Sequence, residues 1–338
     1  MTPQTEPPPY HAAMLQILAG QWVAQTISCL ARMGIADLVE AGPKSAEELA
    51  AVIGAKAGPL YRLMRATAAA GVLSEGADGK FSQTQLSAVL RTDAKPSLRY
   101  WAIFVTEEWQ MRGWSQLEHC VRTGGQAPEL IYGKHTFEYL QANPALAETF
   151  SHSMTALSTI ESPAVAEAYD FAGIQSIVDV AGGHGLLLAT VLAANPRMRG
   201  TLYDQAHVIE GAKSGPLAPL MDRCTLASGD MFVSVPAGAD AYMMKYIIHD
   251  WPDEACLKIL RACRAGVNPG GKLLVVDAVI KPGNEMDPAK YMDIEMLLFP
   301  GGHERTEPQF RELLAAAGWR LTRVIPTASI LSIVEAVR

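Results

Sequence analysis

The stretch Ile177-Val-Asp-Val-Ala-Gly-Gly-His-Gly-Leu-Leu-Leu limits the fold more than any other part of this chain. An apolar run ends in Asp179-Val180, glycines follow at 182, 183 and 185, and an Ala/Leu-rich segment comes next. That order reads as strand, tight turn and helix, which brings backbone amides to a ligand. Glycine is needed there because a Cβ would collide with the ligand or forbid a positive φ. From Ser176 onward, short apolar runs alternate with helical segments, the signature of a doubly wound α/β sheet. Strands are expected over 176–181, 200–204, 224–227, 240–246, 272–278, 320–325 and 330–336.

The glycine pattern also narrows the ligand. A dinucleotide fingerprint wants glycines at its first, third and sixth places. Counting from Gly183 and Gly185 puts Leu188 at the last of these, and no Lys-Ser/Thr follows to make a triphosphate loop. Asp204, ending Thr201-Leu-Tyr-Asp, stands where an acidic side chain binds ribose hydroxyls. Two carboxylates, Asp179 and Asp204, suit a neutral or cationic nucleoside better than a polyanion. S-adenosylmethionine fits that description.

At 338 residues the chain exceeds one ordinary domain, and 49% hydrophobic residues suffice for sizeable cores. No apolar run approaches the roughly 18 uncharged residues of a membrane span. The net charge of −7 argues against a nucleic-acid or anionic-membrane partner. The start, Met1-Thr-Pro-Gln-Thr-Glu-Pro-Pro-Pro, lacks the basic and apolar regions of a signal peptide and reads as a disordered lead over 1–9. Cysteines at 29, 120, 224, 256 and 263 form no Cys-x-x-Cys pair and suit core packing in a reducing compartment, so a cytoplasmic enzyme is expected.

Residues 10–41 are expected to be helical, with Met14, Ile17, Leu18, Trp22, Ala24 and Ile27 giving an apolar surface too broad for one exposed helix. Ser45 with Glu48 forms a capping box, and a further helix is expected over 59–70. A hairpin then turns at Gly76-Ala-Asp-Gly79, which completes a winged-helix arrangement. A DNA reader needs a basic face. Residues 1–95 instead balance eight Lys/Arg against eight Asp/Glu, so a dimer interface is the better reading. Residues 97–169 are expected to be helical, with Pro144 and Pro163 as starts or breaks.

The chemistry belongs outside the carboxyl ends of the strands. His249-Asp250 stands just past the apolar run from Asp240 to Ile248, where a general base would be placed. Histidine, with an unperturbed pKa of about 6.5, suits proton removal from a hydroxyl. His11, His119, His135, His152, His184 and His207 are scattered and read as surface or structural. No cluster has metal-ligand spacing. His249, Asp250, Asp253 and Glu254 look like a helix start with acids in its first turn.

Six motifs stand in order: Val178-Asp-Val-Ala-Gly-Gly-His-Gly, Tyr203-Asp204, Gly229-Asp-Met-Phe, Met244-Lys-Tyr-Ile-Ile-His-Asp-Trp-Pro-Asp-Glu, Pro269-Gly-Gly-Lys-Leu-Leu-Val-Val-Asp and Gly301-Gly-His-Glu-Arg-Thr. Through them nearly the whole chain resembles the S-adenosylmethionine-dependent O-methyltransferases of the plant caffeate/isoflavone and bacterial polyketide- and phenazine-tailoring kind. One departure is Ala181, where that family usually has a third consecutive glycine. The resemblance implies a Rossmann-like class I methyltransferase sheet of seven strands, the last antiparallel. An all-helical winged-helix-like dimerisation domain precedes it. Expected segments are 10–100 for dimerisation, 101–169 for a helical linker and substrate-pocket region, and 170–338 for catalysis.

The resemblance also implies roles. His249 is the base, with Asp277 and Glu304 as its acidic partners; plant members often have glutamate at the first position, so Glu304 is the surer orienter. Asp204 binds ribose, Asp230 and Met231 hold the adenine, and Lys245 lies near the adenosine. Gly182, Gly183 and Gly185 let the methionine portion approach the backbone, and Asp179 supports that loop. Met154, Met296, Phe299, His303 and Asp250 are expected around the acceptor, a small aromatic phenol, catechol or hydroxyquinone, in a homodimer without metal. Two rivals are a family member with altered chemistry (decarboxylation, hydroxylation or N-methylation) and a winged-helix metabolite sensor. His249 and Glu304 speak against the first, and the neutral amino-terminal segment against the second.

Overall fold

The computed structural model describes residues 9–338, so all but the last residue of the lead expected over 1–9 lies outside the described residues. By contacts the chain divides into two compact units, residues 1–112 with 144–157, and residues 113–143 with 158–338.

In the first unit, the segment expected to be helical over 10–41 forms three helices: α1 (Tyr10–Leu18), α2 (Gly20–Arg32) and α3 (Ile35–Leu38). The second break falls at Gly34, whose φ of 66° no helix can continue through. Ser45 and Glu48 make the reciprocal capping bonds that start α4 (Ala46–Ile53), followed by α5 (Ala57–Ala69). The wing is an antiparallel pair, β1 (Leu73–Glu75) and β2 (Phe81–Gln83). Leu30, Ile35, Leu49, Met64 and Phe81 are wholly buried in this unit's core. By contrast, α1 has no buried residue, and Ile17, Leu18 and Trp22 lie open. Two short helices follow, α6 (Gln85–Ala88) and α7 (Arg99–Phe104).

A run of short helices leads on: α8 (Glu108–Trp114), α9 (Leu117–Thr123), α10 (Ala127–Tyr132) and α11 (Thr136–Gln141). Then comes the long α12 (Pro144–Ala168). Pro144 occupies its first turn, where a missing N–H costs nothing. Pro163 does not end the helix as expected; α12 runs on through it.

The second unit carries the sheet. Its strands β3 (Ser176–Val180), β4 (Arg199–Asp204), β5 (Cys224–Ser228), β6 (Ala241–Lys245), β7 (Lys272–Ile280), β9 (Arg320–Pro326) and β10 (Leu331–Val337) fall where the sequence places them. Their order is β5-β4-β3-β6-β7-β10-β9, with β10 antiparallel to both neighbours. A two-residue strand, β8 (Arg305–Thr306), adds to the end of β7. The helices are α13 (Leu186–Ala194), α14 (Ala206–Ala212), α15 (Asp253–Gly266), α16 (Pro288–Leu298) and α17 (Glu307–Ala316). Buried apolar clusters on both sides of β3, β6 and β7 explain why those strands read as continuous hydrophobic runs. The strand order reverses between β3 and β6, and ligands bind outside the carboxyl ends at such a switch point. No described helix is long and apolar enough to cross a membrane.

Candidate active site

The turn after β3 is built as its glycines suggest. Gly183 and Gly185 have φ of 60° and 79°, and a Cβ on Gly182 would stand 2.5 Å from Asp179 Oδ2. Ala181 also holds a positive φ, 54°, which explains why glycine is the family's residue at this place. Asp179 is buried, and its Oδ2 makes no hydrogen bond. Burial pushes its carboxyl up to about 7; the Asp204 charge adds to this and Lys245 opposes it. Asp204 accepts from the Gly183 N–H at 2.9 Å and the Gln205 N–H at 2.6 Å, and burial raises its carboxyl too.

Beside this turn lies a cavity of about 560 Å³. Ala181, Tyr203, Asp204, Asp230, Met231, Phe232, Phe137 and Trp251 are among its lining residues. Phe232 meets Trp251 edge-on with centroids 4.9 Å apart, and Phe137 lies 6.2 Å from the same indole. Carboxylates, a flexible thioether and aromatic faces suit a nucleoside with free ribose hydroxyls. The unpartnered Asp179 oxygen suits an ammonium group. These residues therefore fit S-adenosylmethionine. Lys245 is not in the cavity wall. Its Nζ donates to Ser158 Oγ at 2.9 Å and to the buried Glu161 at 3.1 Å.

The second half of the site begins where β6 ends. Tyr246 leaves the strand with φ of 58°, and its N–H donates to Asp277 Oδ1 at 2.9 Å. Its hydroxyl donates to Glu161 Oε1 at 2.5 Å. This kink sends the chain into a 3-10 turn, Ile248–Asp250, with His249 buried. The imidazole lies against the Tyr246 ring, centroids 5.0 Å apart and planes 21° apart. His249 Nδ1 is 2.6 Å from Glu304 Oε1, and Nε2 is 3.5 Å from Asp250 Oδ1. Glu304 is fixed in turn by its own N–H, which donates to Asp293 Oδ1 at 2.9 Å.

Around the imidazole the carboxyls all titrate high. Burial, with Asp293 adding, raises Glu304 to about 8; burial raises Asp277 to about 7 and Asp250 to about 6, and the His249 charge opposes both of the latter shifts. Asp277 was expected to orient His249. Its Oδ1 accepts from the Tyr246 backbone N–H, and its Oδ2 makes no hydrogen bond.

Among the residues expected around the acceptor, Met296 and Phe299 are buried. Thr136 Oγ1 donates to the Phe299 carbonyl at 2.6 Å. His303 is half-buried, 3.8 Å from Asp253. Met154 lies on the part of α12 that clusters with the first unit. Sequence reasoning missed Tyr246, Glu161, Phe137 and Arg305. Only Tyr246 and Arg305 carried a signal, each lying inside a motif read for its neighbour. No group of three or more described His, Cys, Asp or Glu residues could hold a metal.

A switch-point turn without phosphate-binding features, a ribose-type carboxylate at the next strand end and a buried His–Glu pair define a class I methyltransferase. Family comparison agrees. Residues 114–320 match the O-methyltransferase domain and residues 15–93 the O-methyltransferase dimerisation domain. The chain belongs to the S-adenosylmethionine-dependent O-methyltransferase family. It is 42% identical to the phenazine O-methyltransferase PhzM of Lysobacter antibioticus, over 97% of this chain and 96% of that one. It is 38% identical to the mitomycin biosynthesis 6-O-methyltransferase of Streptomyces lavendulae, over 92% and 89%. The crystal structure of LaPhzM superposes with a TM-score of 0.90 at 41% identity, covering 97% of this chain and 99% of that chain. That of CalO1, a methyltransferase in calicheamicin biosynthesis in its SAH-bound form, gives 0.88 at 32%, covering 97% and 98%.

Proposed function

We propose that this enzyme methylates a ring hydroxyl of a small, flat aromatic acceptor, with His249 as general base. The observation that carries this reading is the 2.6 Å contact between His249 Nδ1 and Glu304 Oε1. With Nδ1–H donating to the carboxylate, Nε2 keeps its lone pair and can take the acceptor's proton. The cation so formed lies between Glu304 and Asp250, and each of these carboxyls stabilises it when ionised. The stacked Tyr246 ring fixes the plane of the imidazole.

S-adenosylmethionine supplies an activated methyl group with a good leaving group already in place. Asp204 would hold its ribose, Asp230, Met231 and the aromatic wall its adenine, and Asp179 its ammonium group. The protein's remaining tasks are alignment and proton removal, and alignment contributes several kcal/mol. Met296, Phe299, His303 and Asp250 are proposed around the acceptor. Aromatic tailoring chemistry is supported by the relatives named for phenazine and mitomycin. A homodimer through the open apolar face of α1 and α2 is proposed from the dimerisation-domain match.

The test is His249→Gln. It should leave cofactor affinity near wild type by calorimetry and lower kcat by about 10²–10⁴-fold. The loss should be largest for weakly acidic phenols and smallest for hydroxyquinones that ionise near neutrality. Equal losses across the acceptor series, or none, would remove His249 as the base.

A further inference from the structure

Arg305 follows Glu304 in the chain and is 1% exposed. A buried guanidinium costs several kcal/mol unless it is paired and its N–H groups are satisfied. Nη1 donates to the Ile248 carbonyl at 3.0 Å and the His303 carbonyl at 3.3 Å. Nη2 donates to the Trp251 carbonyl at 3.3 Å and to Asp253 Oδ1 at 2.6 Å. Ile248 and Trp251 bracket His249 and Asp250, while His303 precedes Glu304. One planar fork therefore joins the turn that carries the imidazole to the loop that carries its carboxylate.

We propose that Arg305 is the positioning residue that sets the His249–Glu304 contact. The proposal rests on reading His249 as the base. A lysine could not replace the fork, because an ammonium is a point donor on a flexible stem and cannot span both carbonyls in one geometry. Cys256 gives the same turn a weaker tie, its thiol donating to the Ile248 and Trp251 carbonyls at 3.2 and 3.3 Å. The turn can thus persist without Arg305 while losing its fixed distance to Glu304. Asp253, Asp277, His303, Glu304 and Cys256 face the guanidinium, and Asp293 faces Glu304 from α16. Its positive charge opposes part of the upward push that burial and Asp293 exert on Glu304.

Arg305→Met and Arg305→Lys are compared with His249→Gln in the full-length enzyme. The readouts are kcat, acceptor KM, cofactor Kd and the pH dependence of kcat/KM. Arg305→Met should lower kcat by about tenfold or more while KM and cofactor Kd stay within about threefold. The acid limb of its profile should move to higher pH, because Glu304 then keeps its proton longer. Arg305→Lys should restore the acid limb but not kcat, since charge returns without the fork. If Arg305→Met does not fold, the Lys variant decides alone, by a lowered kcat on a wild-type profile. Unchanged kcat and pH profile beside an inactive His249→Gln would overturn this inference alone, as would parallel losses of cofactor affinity and kcat. An active His249→Gln would instead overturn the reading on which it rests.

Discussion

Asp179 is a residue held in a costly state. The strand β3 carries it into the core, yet its Oδ2 is left without a hydrogen bond. An unpartnered buried charge is avoided by taking up a proton, which is why its carboxyl rises to about 7. The consequence for stability follows from linkage. The folded value lies above the unfolded value of about 3.9, so the native state binds more protons between those limits, and stability falls as pH rises through them. Asp179 accounts for roughly 4 kcal/mol of that fall at most. The cofactor-free enzyme should unfold at a lower temperature at pH 8 than at pH 5.5. Asp179→Asn should flatten the slope, and added S-adenosylmethionine should raise Tm more at pH 8 in wild type than in the variant. A slope equally steep in the variant would show that the carboxyl is not the source.

At the scale of elements, the ends of β3 and β6 behave alike. Each parallel strand terminates in a non-glycine residue with positive φ, Ala181 at 54° and Tyr246 at 58°. Such a conformation costs roughly 1–2 kcal/mol for a residue with a Cβ. At Tyr246 the kink turns the ring onto His249 and the backbone N–H onto Asp277. Ala181 lines the cavity, where its side chain is a single methyl group. Ala181→Gly should therefore be neutral to about 1 kcal/mol stabilising, strain relief being partly cancelled by the added freedom of glycine in the unfolded chain. Chemical denaturation showing a loss above about 1 kcal/mol would mean that the alanine is favoured for packing.

For the whole molecule the open question is what covers the first two helices. Leu15, Ile17, Leu18 and Trp22 are each more than 60% exposed in the single chain, within the segment matching the dimerisation domain. A patch of this kind is costly in water and marks an interface. We expect sedimentation to show a dimer at micromolar concentration, and Leu18→Glu with Trp22→Glu to give a monomer or an aggregate. A stable wild-type monomer would contradict this.

Periodicity, glycine placement and capping acted over a few residues, so the sequence alone determined the strands, the turn after β3, the start of α4 and the class of ligand. The break at Gly34 and the persistence of α12 through Pro163 were not legible, because both depend on how neighbouring segments pack. In the site, His249 and Asp204 could be singled out because they stand at strand ends, and Glu304 and Asp230 because their motifs match the family's. The pairing of His249 with Glu304 came only from the resemblance, and the other partners were not legible at all. His249 and Glu304 lie 55 positions apart, Arg305 and Ile248 57, and Tyr246 and Glu161 85. Nothing in a local pattern encodes a contact across such spans. Only the order β3-β6-β7, with β8 added to its end, brings the turn at His249 beside the loop at Glu304 and gives Arg305 both to hold.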